Sequence, residues 1–283
     1  MISGEELEIF RHSLASVVEE MAMTLQRTAY STNIKIRKDH TCALFDSDLR
    51  HIAQHDIAPH HISAMVDVVP RNMADRADDL QPGDGILLND PYKGTTHLPD
   101  IFLISPIFHD GEIIGYAANT AHHVDVGGST PGSIPTDSTE LYQEGIIVPG
   151  VNAVEDWQYD DDVLGLILRN VRDEDKRRGD YQAQLGTNKL GAERYRELYR
   201  EYGSETVDRY LDSLLNYTER RVRAAISDLP DGVYSAEDQM DGDGIKDQPI
   251  TLKITLTIDG DEITVDFTGT ATQNEGPLNT SPP

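Results

Sequence analysis

The spacing of apolar positions at the start of the chain predicts a long amphipathic helix over residues 3–28. Its apolar residues recur at intervals of three and four, the period of one helix face: Leu7, Phe10, Leu14, Val17, Val18, Met21 and Leu25. Ser3 and Glu6 have the spacing of a capping box, which marks where the helix begins. A second helix is predicted over residues 61–73, and Pro70 is expected to kink or end it.

Shorter apolar runs between polar turns predict strands. Residues 31–49 are predicted to form a strand and a turn. Further along, the apolar runs 101–108 and 113–118 flank Asp110-Gly111, and Asp-Gly between two apolar runs is typical of a tight hairpin turn. These two runs are therefore expected to pair as antiparallel strands.

The second half of the chain is predicted to be helical first and then extended. A helical region is predicted from about 164 to 227, interrupted at Gly179 and divided at Gly203 into a helical hairpin. Three strands are predicted to follow it, at 232–240, 250–258 and 262–267.

Together these elements predict an α+β fold with mixed or antiparallel sheet layers, flanking helices and a helical hairpin. We expect an N-terminal α+β portion over residues 1–160, a helical segment over 161–228, and the start of a β-rich portion over 229–283. The chain ends directly after a strand, so the fold is expected to be incomplete at its C-terminus.

The charge of the chain narrows its possible partners. Fifty acidic residues face 24 basic ones, of which only seven are lysines, and the formal net charge is -26. Such an acidic surface either attracts a basic partner or cations, or reflects adaptation of the whole surface to high salt, and its even spread favours the second interpretation. Nucleic-acid binding is not expected, because no basic patch is present to neutralise phosphates.

Cysteine and hydropathy patterns indicate the compartment. Cys42 is the only cysteine, so no disulfide can form within the chain, and its apolar surroundings favour a buried side chain over a nucleophile. No apolar run is long enough to cross a membrane, and the acidic start of the chain does not resemble a signal peptide. We therefore expect a cytoplasmic protein.

Residues able to bind a metal ion concentrate at the two ends of the predicted hairpin. His97 and Asp100 precede its first strand, while His122, His123 and Asp125 lie at the end of its second. Because antiparallel pairing brings these ends together, the two motifs are expected to form one site. Imidazole and carboxylate side chains are ligands of divalent zinc, manganese or iron.

Other roles for the same residues remain open. Asp100 and Asp125 also have the neighbours of turn-forming residues, and adjacent histidines on an extended chain point in opposite directions, which argues against His122 and His123 binding one ion. Glu144 is a candidate for proton transfer or, equally, a hydrogen-bonded loop carboxylate. We assign candidate catalytic roles to Glu144, Asp125 and His123.

Substrate and nucleotide binding have weaker signals. Tyr92 and Lys93 are candidates to orient a substrate carbonyl, or are ordinary surface residues. The glycine pair at 127–128 lacks the context of a phosphate-binding loop, and no Walker or dinucleotide motif is present. Nucleotide binding by this chain is therefore not expected.

Several of these motifs resemble a known family. Residues 89–100, which end in His-x-x-Asp, and residues 121–128, which read Ala-His-His-Val-Asp-Val-Gly-Gly, resemble the signature of the hydantoinase B/oxoprolinase family. The resemblance covers nearly the whole chain and continues in other segments: 33–35, 39–46, 131–133, 139–145 and 170–172.

The resemblance implies a metal-containing subunit of an ATP-dependent hydrolase that opens a cyclic amide such as a hydantoin or 5-oxoproline. It implies a hydantoinase A-type partner with an actin-like fold that uses the ATP. It also implies a divalent metal (manganese, zinc or iron) held by His97, Asp100 and His122. The alternatives are part of an ATP-dependent ketone carboxylase, as in the related acetone carboxylases, and a non-catalytic truncated fragment.

The chain departs from the family pattern in two ways. Ile36 stands where family members often carry a glutamate that is a further candidate ligand, which leaves a fourth ligand open among Asp39, Asp125, His61 and water. Family members are also longer, so the chain resembles an N-terminal half whose C-terminal half is separately encoded or lost. Unpaired strand edges and exposed apolar surface are expected in such a fragment.

Overall fold

The computed structural model describes residues 3–55 and 59–281, with side chains at all of these except 59 and 60. The fold is α+β, as predicted. The chain forms two compact units, of which one holds residues up to Ile134 together with Tyr142–Asp208 and the other holds Pro135–Leu141 and Arg209–Thr280. The three-part division at residues 160 and 228 stays a prediction.

The first unit begins with the predicted amphipathic helix. Helix α1 runs over Gly4–Thr28, and the backbone N–H groups of Glu6 and Ser3 donate to each other's side chains, which confirms the capping box. All its predicted core residues after Leu7 are buried. The other elements of this unit are: a π-helix Asn33–Arg37, β1 His40–Asp46, β2 His51–Gln54, α2 Pro59–Met73, β3 Gly85–Leu88, β4 Asp100–His109, β5 Glu112–His122, β6 Pro149–Glu155, β7 Gln158–Tyr159, α3 Asp161–Arg169 and α4 Glu174–Tyr202.

Seven strands form one sheet in the order β2-β1-β5-β4-β3-β6-β7, and every pairing is antiparallel. Strands β4 and β5 form the predicted hairpin around Asp110-Gly111, with Asp100 opposite His122 at its open end. Helix α2 covers one face of the sheet, and its Met65 belongs to the same buried apolar cluster as Phe102 of β4. Helix α4 covers the other face, where its side chains hydrogen-bond to β4 and β5.

Two local predictions were wrong. The segment before β1, which was predicted as strand, is a π-helix. The prediction was wrong because Ile34 and Ile36 alternate with charged residues, as in a strand, although only Ile34 is buried. Gly179 does not interrupt the helical region, which breaks instead at Asn170–Asp173. A Cβ atom at Gly179 would come within 2.3 Å of the Tyr30 ring, so the glycine allows that ring to pack closely against α4.

The second unit contains a small exposed sheet. Helix α5 spans Ser204–Ser227, and β8 Gly232–Met240, β9 Ile250–Asp259 and β10 Glu262–Asp266 follow within a residue of their predicted ends. Among the described residues, β8 and β10 each pair only with β9. Exposed apolar side chains lie on this sheet, as predicted: Val233, Tyr234, Leu252, Ile263 and Val265. The sequence predicts that the fold is incomplete at the C-terminus, and the last two residues there, Pro282 and Pro283, lie outside the described residues.

Two predictions from composition can be compared with the fold. Cys42 is fully buried in β1, and burial raises the pKa of its thiol, which confirms a packing role over a nucleophilic one. Of the helices in the described ranges, none combines the length and the apolar character needed to traverse a lipid bilayer.

Candidate metal centre

Three strand ends converge to build the site. Asp100 begins β4, His122 ends β5, and the two are direct partners in the ladder. Strand β1 pairs with the other edge of β5, and the backbone N–H of His122 donates to the carbonyl of Asp39, just ahead of β1. His97 enters from the preceding loop, where the backbone N–H of Asp100 donates to the His97 carbonyl. The hairpin therefore brings the two sequence motifs together, as expected.

The side chains of His97, Asp100 and His122 form a tight cluster. Their candidate ligand atoms all lie within 4.8 Å of one another. Nδ1 of His97 is 2.8 Å from Oδ2 of Asp100, and Nδ1 of His122 is 3.4 Å from Oδ1 of the same carboxylate. Asp100 is fully buried, whereas 41% of the His97 side chain is exposed, so His97 is the most exposed of the three candidate ligands.

Electrostatics keep the buried carboxylate charged. Burial alone would raise the pKa of Asp100, but the imidazoles of His122, His61 and His97 around it hold that pKa well below its usual range. For His97, burial lowers the pKa, and the adjacent Asp100 carboxylate outweighs this and leaves the pKa raised. A fully buried anion surrounded by imidazoles is a suitable environment for a cation.

The residues present fit a divalent metal ion. Oδ1 of Asp100 is buried and receives no hydrogen bond of good geometry, although imidazole nitrogens lie 3.3 and 3.4 Å away. Its Oδ2 accepts a hydrogen bond from the Thr96 hydroxyl. Two imidazoles and one carboxylate are ligands of zinc, manganese and iron, and further donors stand beside them.

The three residues that are candidates for a fourth ligand lie in different places. Asp39 and His61 are next to the cluster, at 3.6 Å from His122 and 3.3 Å from Asp100 respectively. The carboxylate of Asp125 is bonded within the loop after β5: it accepts from the backbone N–H groups of Gly127 and Gly132 and from Arg172.

The candidate catalytic residues divide between the site and its surroundings. Glu144 follows a short 3-10 turn, is half-buried, and its charge contributes to the raised pKa of His97, which places it near the cluster. Asp125 is held by Arg172, whose contacts agree with the turn-forming alternative. Tyr92 has 63% of its surface exposed. The catalytic roles remain predictions.

His123 lies on the opposite face of the sheet from His122, as the alternation of an extended chain predicts. Its Nε2 is 2.9 Å from Oε1 of Gln184, and its ring packs on Tyr181. Burial lowers the pKa of His123 to about 4, so its imidazole is neutral at physiological pH. Sequence reasoning missed this polar environment, whose signal is the four-residue spacing of Asp180, Gln184 and Asn188 along α4.

Comparison with known proteins identifies the family. A family profile described as hydantoinase B/oxoprolinase matches residues 5–283. The chain belongs to the hydantoinase B/oxoprolinase family. It is 39% identical to an uncharacterised protein of Methanocaldococcus jannaschii over 96% of this chain and 48% of that protein. It is 33% identical to 5-oxoprolinase 1 of Arabidopsis thaliana over 97% of this chain and 23% of that protein.

Two solved structures share the fold of this chain. The ATP-dependent caprolactamase of Pseudomonas jessenii matches with a TM-score of 0.87 at 29% identity, over 94% of this chain and 46% of its own. A nucleotide-free acetone carboxylase matches with a TM-score of 0.85 at 19% identity, over 93% of this chain and 37% of its own, which shows a common fold alone. The chain spans about half the length of some of the curated relatives it matches and less than a quarter of the length of others.

Proposed function

We propose that this chain is the metal-bearing part of a B-type subunit that hydrolyses the C–N bond of a cyclic amide. The observation that carries the proposal is the convergence of His97, Asp100 and His122 at one end of the β4–β5 hairpin, in a member of the hydantoinase B/oxoprolinase family. Hydantoin and 5-oxoproline are the substrate candidates that the family description supplies.

The side chains have separate tasks in this proposal. His97, Asp100 and His122 hold a divalent ion, which supplies a Lewis acid for the amide carbonyl and acidifies bound water. Asp100 carries the negative charge that its surrounding imidazoles keep in place. We assign proton transfer to Glu144, and its support is the contribution of the Glu144 charge to the raised pKa of His97.

The proposal includes a partner. The chain has no nucleotide-binding motif, whereas the caprolactamase with the same fold is ATP-dependent. We propose that an A-type subunit binds and uses the ATP. Because the chain spans half or less of the length of its relatives, we further propose that activity requires the C-terminal half of the B-type subunit as well.

Metal analysis of the purified chain tests the site. The wild type is expected to retain manganese, zinc or iron after gel filtration, and His97→Ala and Asp100→Ala are expected to lose it. His12→Ala is the control, because that histidine is exposed on α1, where it contacts the side chains of Glu8 and Arg11. Unchanged metal content in the two site variants would contradict the assignment.

Activity with partners tests the reaction. We expect ATP-dependent opening of 5-oxoproline or hydantoin when the chain is combined with an A-type subunit and a C-terminal half, and no turnover with His97→Ala. Consumption of acetone and bicarbonate instead would favour the carboxylase alternative, for which the acetone carboxylase likeness offers only the fold. An unstable, metal-free chain that copurifies with neither partner would support the non-catalytic alternative.

A further inference from the structure

One side chain of α4 contacts the chain neighbours of two candidate metal ligands. Gln184 is fully buried and packs on the face of the sheet opposite the metal cluster. Its Nε2 donates to the carbonyl of Ile101, the residue after Asp100, at 2.8 Å. Its Oε1 is 2.9 Å from Nε2 of His123, the residue after His122. A single amide therefore bridges β4 and the end of β5 directly behind the cluster.

A chain of hydrogen bonds fixes the orientation of this amide. Nδ2 of Asn188 donates to the carbonyl of Leu103, so Oδ1 of Asn188 is the atom that accepts from Nδ2 of Asn119. The remaining oxygen of Asn119, Oδ1, then accepts from Nε2 of Gln184. Because both protons of that Nε2 are used, Oε1 of Gln184 is left as an acceptor only.

The fixed amide determines the protonation of the His123 ring. Oε1 of Gln184 has no proton to give, so Nε2 of His123 must carry the ring proton and donate it. The other side of the ring packs on Tyr181, with 4.7 Å between the ring centroids. Both the position and the tautomer of this imidazole are thus set from the α4 face.

The backbone on either side of this ring is bonded as well. The N–H of His123 donates to the carbonyl of Pro99 at 2.8 Å, and the N–H of His122 donates to that of Asp39 at 3.0 Å. Consecutive side chains of an extended segment point to opposite faces, so anchoring His123 sets the direction in which the His122 imidazole leaves the backbone. Functional constellations need positions held to within about 0.5 Å, which requires such supporting contacts.

We propose that Gln184 is a positioning residue of the candidate metal cluster, acting through His123 on His122 and through Ile101 on Asp100. This inference rests on the proposed metal site and adds to it a residue from the opposite face of the sheet. It gives His123 the task of orienting its neighbour, not a part in the chemical step. Residues that orient metal ligands typically change metal affinity by about 10–100-fold.

Asn188 provides a matched comparison on the same helix. It is also a fully buried amide bonded to β4, but its partners Leu103 and Ser105 lie farther along the strand from Asp100. Gln184→Met and Asn188→Leu both remove buried hydrogen bonds, so both are expected to lower the urea midpoint. Only Gln184→Met is expected to weaken Mn²⁺ binding, by about 10-fold in calorimetry, under conditions where circular dichroism shows both variants folded. Asn188→Leu should stay within about 2-fold of the wild type.

Two spectroscopic measurements separate positioning from a purely structural role. The visible absorption of the Co²⁺-loaded protein is expected to change in Gln184→Met, because the ligand geometry relaxes. It should be unchanged in the control Thr187→Val, whose hydroxyl donates to the Ala183 carbonyl within α4. Nitrogen NMR of the metal-free, histidine-labelled wild type should show His123 with its proton on Nε2. A proton on Nδ1 would overturn the assigned chain of hydrogen bonds.

The outcomes distinguish this inference from the proposed function. Wild-type Mn²⁺ affinity and Co²⁺ absorption in Gln184→Met, or an equal loss of affinity in Asn188→Leu, would overturn the positioning role. Wild-type affinity in Asp100→Ala would instead overturn the metal site itself. If Gln184→Met fails to fold, His123→Gln, which keeps an N–H donor, and His123→Phe, which has none, decide the question. Higher affinity in His123→Gln supports the proposal, and equal affinities contradict it.

Discussion

The two faces of the seven-stranded sheet are built on opposite principles. Under α2 an apolar cluster packs on the sheet, with Met65, Val69 and Phe102 fully buried, and the candidate metal cluster is the polar exception on this face. Under α4 a row of polar residues is equally buried: Gln184 and Asn188 are both fully inaccessible. His122, the last residue of β5, and His123, which follows it, contribute to different faces: His122 joins the candidate metal cluster, while His123 lies within hydrogen-bond distance of Gln184.

The polar face fixes the register of the hairpin that carries the site. Gln184 donates to the Ile101 carbonyl and to Asn119, so that one α4 side chain contacts both β4 and β5. Asn188 donates to the carbonyl of Leu103. Hydrogen bonds are directional, whereas apolar packing tolerates sliding, so this network holds Asp100 opposite His122 more strictly than the apolar face does. A one-residue slip would place His122 on the wrong face.

The largest expected effect comes from a buried ion pair on the polar face. Arg177 and Asp180 are 3.2 Å apart with side chains 3% and 0% exposed, and Asp180 also accepts from the backbone N–H groups of Tyr30 and Ser31. Asp180→Ala leaves a buried guanidinium without its partner, so we expect a loss of about 4 kcal/mol in the free energy of unfolding. Urea denaturation of the metal-free protein measures it.

Asp175→Ala is the control on the same helix, and we expect it to cost less than about 1 kcal/mol, because Asp175 is exposed in the first turn.

Asp100→Ala compares a buried carboxylate on the α2 face with Asp180 on the α4 face. Its partners are imidazoles, which can lose their protons, so this variant is expected to destabilise the metal-free protein less than Asp180→Ala. Equal losses would show that the two faces do not differ in this respect.

Substitutions that keep the side-chain volume are expected to have the next largest effect, and their cost in the free energy of unfolding should differ between the two faces. Gln184→Met removes the donor to Ile101 and Asn119 and the acceptor beside His123, leaving buried polar groups without partners. We expect a loss of about 3 kcal/mol. Met65→Leu on the apolar face keeps a hydrocarbon of similar size and should cost less than about 1.5 kcal/mol. Urea midpoints of the two variants, measured together, give the difference, and a costlier Met65→Leu would reverse the comparison.

The apolar face and the hairpin were largely predictable from sequence because their signals are local. Period-3.6 spacing and a capping box define α1, and Asp110-Gly111 marks the turn that brings His97, Asp100 and His122 together. The polar face was not predictable in the same way. Gln184 is an ordinary surface-type residue until α4 is known to pack against Asn119, some 65 residues away in the chain.

The candidate site shows the same limit. Its three clustered residues lie at the ends of one hairpin, so a local turn signal is enough to join them. Asp39 reaches the cluster through the pairing of β1 with β5, and His61 reaches it through the packing of α2. Both are long-range contacts. The alternation of Ile34 and Ile36 further concealed the π-helix that places Asp39, because it follows the period of a strand.

Addition of a metal ion should stabilise the protein only through the cluster of His97, Asp100 and His122, which lies on the α2 face of the sheet. At a free Mn²⁺ concentration of about 100 times the dissociation constant, binding to the native state is expected to add about 2.7 kcal/mol to the free energy of unfolding. Asp100→Ala should abolish this gain, whereas Asp175→Ala should keep it. Thermal unfolding with and without a chelator measures the effect, and an equal gain in Asp100→Ala would place the ion elsewhere.

The smallest expected effect concerns Asp125, which lies in the loop that follows β5. Burial alone would raise the pKa of Asp125, but backbone N–H groups of Arg172, Gly132 and Gly127 and the Arg172 guanidinium outweigh it and hold the pKa below its usual value. The stabilisation by ionised Asp125 is therefore complete above the unfolded-state pKa of about 3.9 and is lost as the pH falls through the lower folded-state value.

Asp125→Asn should lower the free energy of unfolding by about 1.5 kcal/mol at neutral pH and flatten its dependence on pH below about 4. Urea midpoints measured from pH 7 down to acid-induced unfolding provide the comparison, with Asp137→Asn as a control on an exposed loop carboxylate. If the pH dependence of Asp125→Asn matches that of the wild type, the loop is held by its backbone and not by this charge.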